Sequence, residues 1–454
     1  MPVSPIEYRY GRNEVKNIFS EESRFRYMLE AEAALAYSEW KNGIIPKEAY
    51  EDISGVVSAR IVNLDRVKEI EAETKHDLMS LVRALTEKCG PGAPYVHYGV
   101  TSSDIVDTAT ALQLKDFYSI LLNDLFDLQT ALEKLVQKHS LTIMVGRTHG
   151  QHASPITFGL KMAVFLNEIG RHAERVVESK KRVLVGKMLG PVGTGASIGE
   201  NALQVQNDVM EKLGIGVEDS ATQVVDRDRY VEYLQILSNV ATSLEKFTTE
   251  VRNLQRTEID EVSEYFDISR QVGSSAMPSK RNPIDSENVG SLARIIRSLV
   301  NPEYEAAITW HERDLTNSAL ERFTIPYASI LIDHILVKTV NIFSRLNVHV
   351  ERMKMTAVSN ELSMSENVVK LLVSKGMPRQ EAHEFVRKSA MESITDKKKL
   401  SKVILDKTGK VTADELRDAM DPSRFIGVSE KICEMSVNNS KKLRESLGGK
   451  RFAN

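Results

Sequence analysis

Residues Val100 to Val145 contain neither glycine nor proline, and within them Leu114, Phe117, Leu121, Leu125, Leu128, Leu132 and Leu135 recur at three- and four-residue steps. That is the spacing of a helix with one apolar stripe. At about 1.5 Å per residue such a helix spans roughly 45 to 50 Å. Val217 to Val272 is likewise free of Gly and Pro and puts Val231, Leu234, Leu237, Val240, Leu244, Phe247 and Val251 on one face. A third interval, Tyr327 to Lys375, carries Ile330, His334, Val337, Val340 and Phe343 in similar register, with a break expected near Ser359. Helices this long cannot bury their stripes alone; they require a bundle, shared between subunits.

The 13 prolines mark the boundaries of these intervals, Pro155, Pro191, Pro278, Pro283 and Pro326 among them. The expected fold is all-α, in three helical domains. Residues 1–104 form an N-terminal helical domain, 105–352 a central long-helix bundle that builds the multi-helix core of a homotetramer, and 353–454 a C-terminal helical domain. Ser20-Glu-Glu-Ser23 reads as a helix start with Phe25 to Trp40 as its body. The Lys397-Lys-Lys399 run reads as a solvated face.

A formal net charge of -3 gives no global attraction to nucleic acid or to an anionic membrane, so any anion site must be local. Neither partner is expected. No unbroken apolar run approaches the roughly 18 residues of a membrane helix. The two cysteines, Cys89 and Cys433, match no zinc spacing. A cytoplasmic location is expected, with no metal and no cofactor. Gly190-Pro-Val-Gly-Thr-Gly-Ala-Ser-Ile-Gly199 is glycine-rich, but its spacing is not that of a dinucleotide or phosphate loop and its surroundings are helical. It reads as a turn or short hairpin between long helices.

Chemistry concentrates at the ends of the long intervals. Gly273-Ser-Ser-Ala-Met-Pro-Ser-Lys-Arg-Asn-Pro283 puts hydroxyls, cations and an amide on one loop, followed by the acidic, N-cap-like start Ile284-Asp-Ser-Glu287. Such a loop handles an anion. Gly146-Arg-Thr-His-Gly-Gln-His152 sets His149 between Thr148 and a glycine, open to close approach of a substrate, with the part played by His152 left open. Lys75-His-Asp77 places a cation, an imidazole and a carboxylate in succession, a pattern an exposed charged turn also produces. Gly99-Val-Thr-Ser-Ser-Asp104 reads as a helix cap whose hydroxyls and N–H groups suit a phosphate or carboxylate. Arg9-Tyr10, Trp310-His-Glu-Arg-Asp314 and Asn317-Ser-Ala-Leu-Glu-Arg322 add further cations. Together these clusters could build one site for an anionic substrate.

These residues carry a resemblance. Gly273 to Pro283 matches the pattern G-S-S-x-M-P-x-K-x-N-P at every fixed position, and the chain resembles the fumarase/aspartase superfamily of lyases. Lys75-His-Asp77, Arg9-Tyr10, Thr101-Ser102 and the Trp310 to Arg322 stretch narrow the resemblance to its adenylosuccinate lyase branch. The resemblance implies a carbon–nitrogen lyase that releases fumarate by anti elimination from adenylosuccinate, giving AMP, and from SAICAR, giving AICAR, in purine nucleotide synthesis. It implies Ser274 as general base, His149 as general acid and Glu287 as the carboxylate orienting His149. Lys280 and Asn282, with Arg281, would bind succinyl carboxylates. Arg9, Tyr10, Lys75, Arg313, Ser318 and Arg322 would hold phosphate or succinyl oxygens, with Asp77, Thr101, Ser102 and Gln223 beside the substrate and His76 near the reacting group. Ser275 is the neighbour that could be confused with the base. The rival readings are another lyase of the superfamily, acting on argininosuccinate, malate or a cycloisomerase substrate, and a non-catalytic helical tetramer that keeps the scaffold.

Overall fold

A computed structural model describes residues 3–267, 276–277 and 279–448. The chain is mostly helical, as expected. The first long interval is one unbroken helix, Ser102–Lys138. All seven stripe residues from Leu114 to Leu135 are buried in it, as is every stripe residue of the helix Asp228–Leu254. Each fully buried leucine stabilises by roughly 1.5 to 3 kcal/mol relative to an exposed one. The helix Glu21–Lys41 starts where Ser20 marks it, its hydroxyl accepting the N–H of Ser23 at 3.2 Å. Lys397, Lys398 and Lys399 are all exposed.

The third interval differs in two ways. Its helix runs Ser318–Ser344 and carries Pro326 inside rather than at its edge. The buried face is also rotated: Ala328, Leu331, Ile332, Ile335, Leu336 and Phe343 are buried, whereas His334, Val337 and Val340 are only half-buried. This helix is apolar nearly all round, so periodicity could not choose a face. For the same reason it is long and apolar enough, by length and composition, to cross a membrane, contrary to the expectation from unbroken runs. With 61% of its most apolar window buried in the protein, it has the burial of a core helix.

Among the described residues there are also three two-stranded sheets, which helical periodicity does not show: Ile143–Thr148 with Gln151–Thr157, Val185–Gly186 with Gly216–Val217, and Val262–Ser263 with Asn347–Val348. The glycine-rich stretch 190–199 is a series of turns between the two-residue strand Val185–Gly186 and the helix Ala202–Leu213, after which Gly216–Val217 pairs parallel with that strand.

Contacts group the chain into two compact units. The first comprises Met1–Asp124, His172–Leu244 and Ser291–Val337; the second comprises Leu125–Arg171, Glu245–Gly290 and Lys338–Asn454. The first has an apolar core built from Tyr27, Leu35, Ile53, Leu81, Ile105 and Val209 with their neighbours. Within the second, Val368, Leu372, Val386, Leu400, Ile404 and Leu416 form a core of the C-terminal helices.

Candidate active site

In the first unit, Lys75-His76-Asp77 is a corner between two helices. Lys75 caps Leu64–Thr74 with φ 56°, and His76 is the N-cap of Asp77–Thr86, its Nδ1 accepting the N–H of Met79 at 3.3 Å. The corner frees the three side chains from the divergence that a regular helix would impose. Lys75 and His76 are exposed. Asp77 is engaged: its Oδ1 accepts the N–H of Leu78 at 2.8 Å, while Oδ2 faces the Arg322 guanidinium at 3.0 Å and that of Arg24 at 3.7 Å. Burial and the nearby Arg322 both depress Arg24, and Asp77 opposes them. Its carboxylate thus lies between two guanidiniums and offsets their mutual repulsion. Arg24 had no motif to single it out.

Thr101 and Ser102 are half-buried at the start of the long helix Ser102–Lys138. Asp104 holds this start in place, accepting the N–H of Thr101 at 2.8 Å in the manner of a capping box. Its buried carboxylate also takes the Lys187 ammonium and the N–H groups of Leu189 and Gly190 at 3.1 and 3.0 Å. Burial raises the Asp104 carboxyl, with Lys187 opposing. Between Ser102 and Asp104, Ser103 accepts a hydrogen bond from Arg313, whose Nη1 also reaches the Gln223 side-chain amide oxygen at 3.1 Å. The backbone N–H of Gln223 bonds to the carbonyl of Glu312 at 3.2 Å. Thr101, Ser102, Gln223 and Arg313, read from separate stretches, thus meet around Ser103.

Ser318 and Arg322 lie on the first turns of Ser318–Ser344. Buried Arg227 fixes those turns. Its fork meets both oxygens of Asp107 at 2.8 and 3.0 Å and both oxygens of Glu321 at 2.8 and 3.2 Å. Arg9 is exposed and Tyr10 half-buried, the Tyr10 ring edge-on to His334 at 5.2 Å.

In the second unit, His149 sits at the tip of the hairpin formed by Ile143–Thr148 and Gln151–Thr157. His149 and Gly150 both have positive φ, 55° and 72°, as two-residue hairpin turns require. Glycine explains the second position; the first holds an imidazole at a backbone cost, out in solvent. Two residues earlier, Arg147 makes a two-pronged ion pair with buried Glu261, both contacts 2.8 Å. That pair ties the hairpin to the residue preceding the strand Val262–Ser263. His152 is exposed, its Nδ1 lies 2.8 Å from the Asn360 amide nitrogen, and burial together with Arg147 lowers its pKa.

Ser274 and Ser275 lie outside the described residues. The flanks of their loop are built by residues that sequence reasoning passed over. Gln255 accepts the N–H of Glu264 at 2.9 Å and donates to the carbonyl of Arg281 at 3.2 Å, clamping the two flanks together. Glu264 accepts the N–H groups of Asp285 and Ser286 at 3.2 and 2.7 Å and so caps the helix Ile284–Ser298 from a distance. Lys280 and Arg281 are exposed and Asn282 half-buried. Glu287 projects from the first turn of that helix, exposed. Among the described residues neither the His149 ring nor the Glu287 carboxylate has a hydrogen-bond or ion-pair partner in its own chain.

A cavity of about 130 Å³ near this helix is lined by Glu264, Tyr265, Asp267, Asp285, Asn341 and Arg345. Sites for small organic ligands start near 300 Å³. Both its size and its acidic lining exclude a succinylated nucleotide.

The lyase family model matches residues 7–297. A second, described as the adenylosuccinate lyase C-terminus, matches residues 361–435. The adenylosuccinate lyases of Pyrococcus abyssi and Pyrococcus horikoshii are 44% and 45% identical over 441 residues, 96% of this chain and 98% of each relative. That of Methanocaldococcus jannaschii is 42% identical over 97% of this chain and 96% of its own. A fumarate lyase from Mesorhizobium sp. BNC1 superposes with a TM-score of 0.87 at 30% identity, over 96% of this chain and 100% of that one. The 3-carboxy-cis,cis-muconate lactonizing enzyme of Pseudomonas putida gives 0.86 at 29%, over 97% and 99%. The chain belongs to the adenylosuccinate lyase family.

Proposed function

We propose that the protein eliminates fumarate from adenylosuccinate, leaving AMP, and from SAICAR, leaving AICAR. The observation that carries this reading is the Asp77–Arg322 contact. It joins the Lys-His-Asp corner to the Ser318–Arg322 turn, the two elements that narrow the superfamily to this branch, although they are far apart in sequence.

In the proposed reaction Ser274 removes a proton from the succinyl carbon beside a carboxylate. The charge that develops on that carboxylate is met by Lys280, Asn282 and backbone N–H groups, an arrangement worth several kcal/mol in comparable oxyanion sites. The electron pair then expels the leaving nitrogen, which takes a proton from His149 as the C–N bond breaks. A serine serves as base only where positive charge stabilises its anion, and Lys280 with Arg281 supplies that charge. An imidazole suits the acid role because its ordinary pKa lies near neutrality. Arg9, Tyr10, Lys75, Arg313, Ser318 and Arg322 hold the phosphate and succinyl oxygens, with His76, Thr101, Ser102, Gln223 and Ser275 around them.

Glu287 orients His149 in this reading. Both are exposed and unpaired in their own chain, which supports a homotetramer whose sites combine residues of different subunits. The organisation along the chain is read as three helical domains, 1–104, 105–352 and 353–454. Two unpaired cysteines, Cys433 buried and Cys89 half-buried, accord with a cytoplasmic protein.

The test is the absorbance change on adding adenylosuccinate, argininosuccinate or malate separately, with AMP and fumarate identified as products. Ser274→Ala and His149→Ala should each lose most turnover while still binding substrate. AMP binding without any turnover by the unaltered protein would point instead to a non-catalytic scaffold.

A further inference from the structure

The segment carrying Arg9 and Tyr10 holds only a four-residue helix, Pro5–Tyr8, too short to be stable alone. What fixes it is its docking on the helix Ser318–Ser344. Ser4 Oγ and the Tyr327 hydroxyl are 2.8 Å apart, and the Gly11 N–H donates to His334 Nδ1 at 3.3 Å. At Gly11, with φ 81°, an added Cβ would lie 2.3 Å from the Ile330 methyl, so backbone and helix are in direct contact. The strongest tie is Arg12. Its Nε donates to Asp333 Oδ1 at 2.9 Å, its Nη2 reaches Asp124 Oδ2 at 2.6 Å and also Asp333, and its backbone N–H donates to Asp333 Oδ2 at 3.3 Å. Both aspartates are buried.

Ser318 and Arg322 belong to the same helix, so Arg12 fixes the N-terminal segment to the rod that carries the opposing anion-binding groups. From Arg322 to Ile330 is about 12 Å along that rod. We propose that Arg12 is a positioning residue for substrate binding. By spanning Asp124 and Asp333 it sets where Arg9 and Tyr10 stand relative to Ser318 and Arg322. It touches no reacting atom. Only a planar fork with several donors can meet two carboxylates and hold a direction; a lysine supplies charge without the geometry.

This inference rests on the reading of Arg9 as a substrate-binding group, and the experiment separates the two. Steady-state kinetics with adenylosuccinate are compared for the unaltered protein, Arg12→Lys, Arg12→Gln and Arg9→Ala, with melting temperature and AMP affinity by calorimetry. Arg12→Lys should raise KM about tenfold and weaken AMP binding in parallel, with kcat within about twofold. Arg12→Gln should do so more strongly. An unchanged KM and AMP affinity in Arg12→Lys, beside a raised KM in Arg9→Ala, overturns the positioning role. So does a fall in melting temperature and kcat with KM unchanged, the signature of a merely structural residue. If Arg9→Ala leaves KM unchanged, or the unaltered protein does not turn over adenylosuccinate, the underlying reading fails and the inference with it. Should the Arg12 variants not fold, Asp124→Asn weakens one arm of the clamp only and is judged by the same KM and AMP-affinity criteria.

Discussion

The Asp77 carboxylate lies 3.0 Å from the Arg322 guanidinium across 245 residues of sequence, with Arg24 on its other side at 3.7 Å. Asp77 orients Arg322 and balances two cations that would otherwise repel each other. Asp77→Ala should therefore raise KM for adenylosuccinate by roughly tenfold, while Arg322→Ala, which removes the proposed anion-binding group itself, should cost more in both KM and kcat/KM. Equal KM values in Asp77→Ala and the unaltered protein would mean that Arg322 needs no such support.

Among the described residues His149 and Glu287 share no hydrogen bond or ion pair within one chain, so their proposed partnership is expected to involve a second copy. His149→Ala and Glu287→Ala proteins, each expected to be inactive, should regain part of the activity when dissociated together and reassembled, because in the proposed shared-site oligomer some mixed assemblies contain sites with both residues intact. Subunit exchange confirmed by mass, with no activity regained, would show that the sites are not shared in this way.

Arg147 and Glu261 form a two-pronged pair whose carboxylate is fully buried. Removing the cation leaves that charge uncompensated, at a cost of about 3 to 5 kcal/mol. Arg147→Met should lower the melting temperature clearly. Because the pair holds the His149 hairpin, it should also lower kcat. Glu261→Gln, which leaves unpaired only the Arg147 cation, part-exposed rather than fully buried, should be the milder change. Differential scanning calorimetry beside turnover measurements distinguishes these outcomes.

Glu39 is buried on the helix Glu21–Lys41, and neither carboxylate oxygen has a partner among the described residues. Burial first, and the nearby Glu32 second, push its carboxyl up from 4.5 to about 9. The folded protein therefore holds one more proton than the unfolded chain between these values. This contribution is fully present below the unfolded pKa and is lost as pH rises toward 9, by at most about 1.4 kcal/mol per pH unit. Glu39→Gln should flatten the decline of melting temperature between pH 6 and pH 9. Parallel melting curves for the two proteins would instead place the titration elsewhere.

Much of this protein is written locally. A stripe such as Leu114 to Leu135 buries itself wherever the chain has helix-forming residues and no breaker, so sequence alone determined the long helices. The hydroxyls and cations of Gly273 to Pro283 are likewise legible in sequence as groups suited to an anion. Other features depend on residues far away. The face buried by Ser318–Ser344 was decided by packing, because an evenly apolar helix has no preferred side. The hairpin bearing His149 is held by Arg147 against Glu261. The loop flanks are clamped by Gln255, and the cap of Ile284–Ser298 comes from Glu264. Arg227 and Arg12 belong to no local pattern, since an arginine that spans two carboxylates is recognisable only when both are in place, and Arg24 is singled out only by the folded position of Asp77. Sequence determined which chemical groups are present and which segments are rods. Tertiary structure decided which of those groups meet, because ion pairs and hydrogen bonds depend on distances that only the packed rods define.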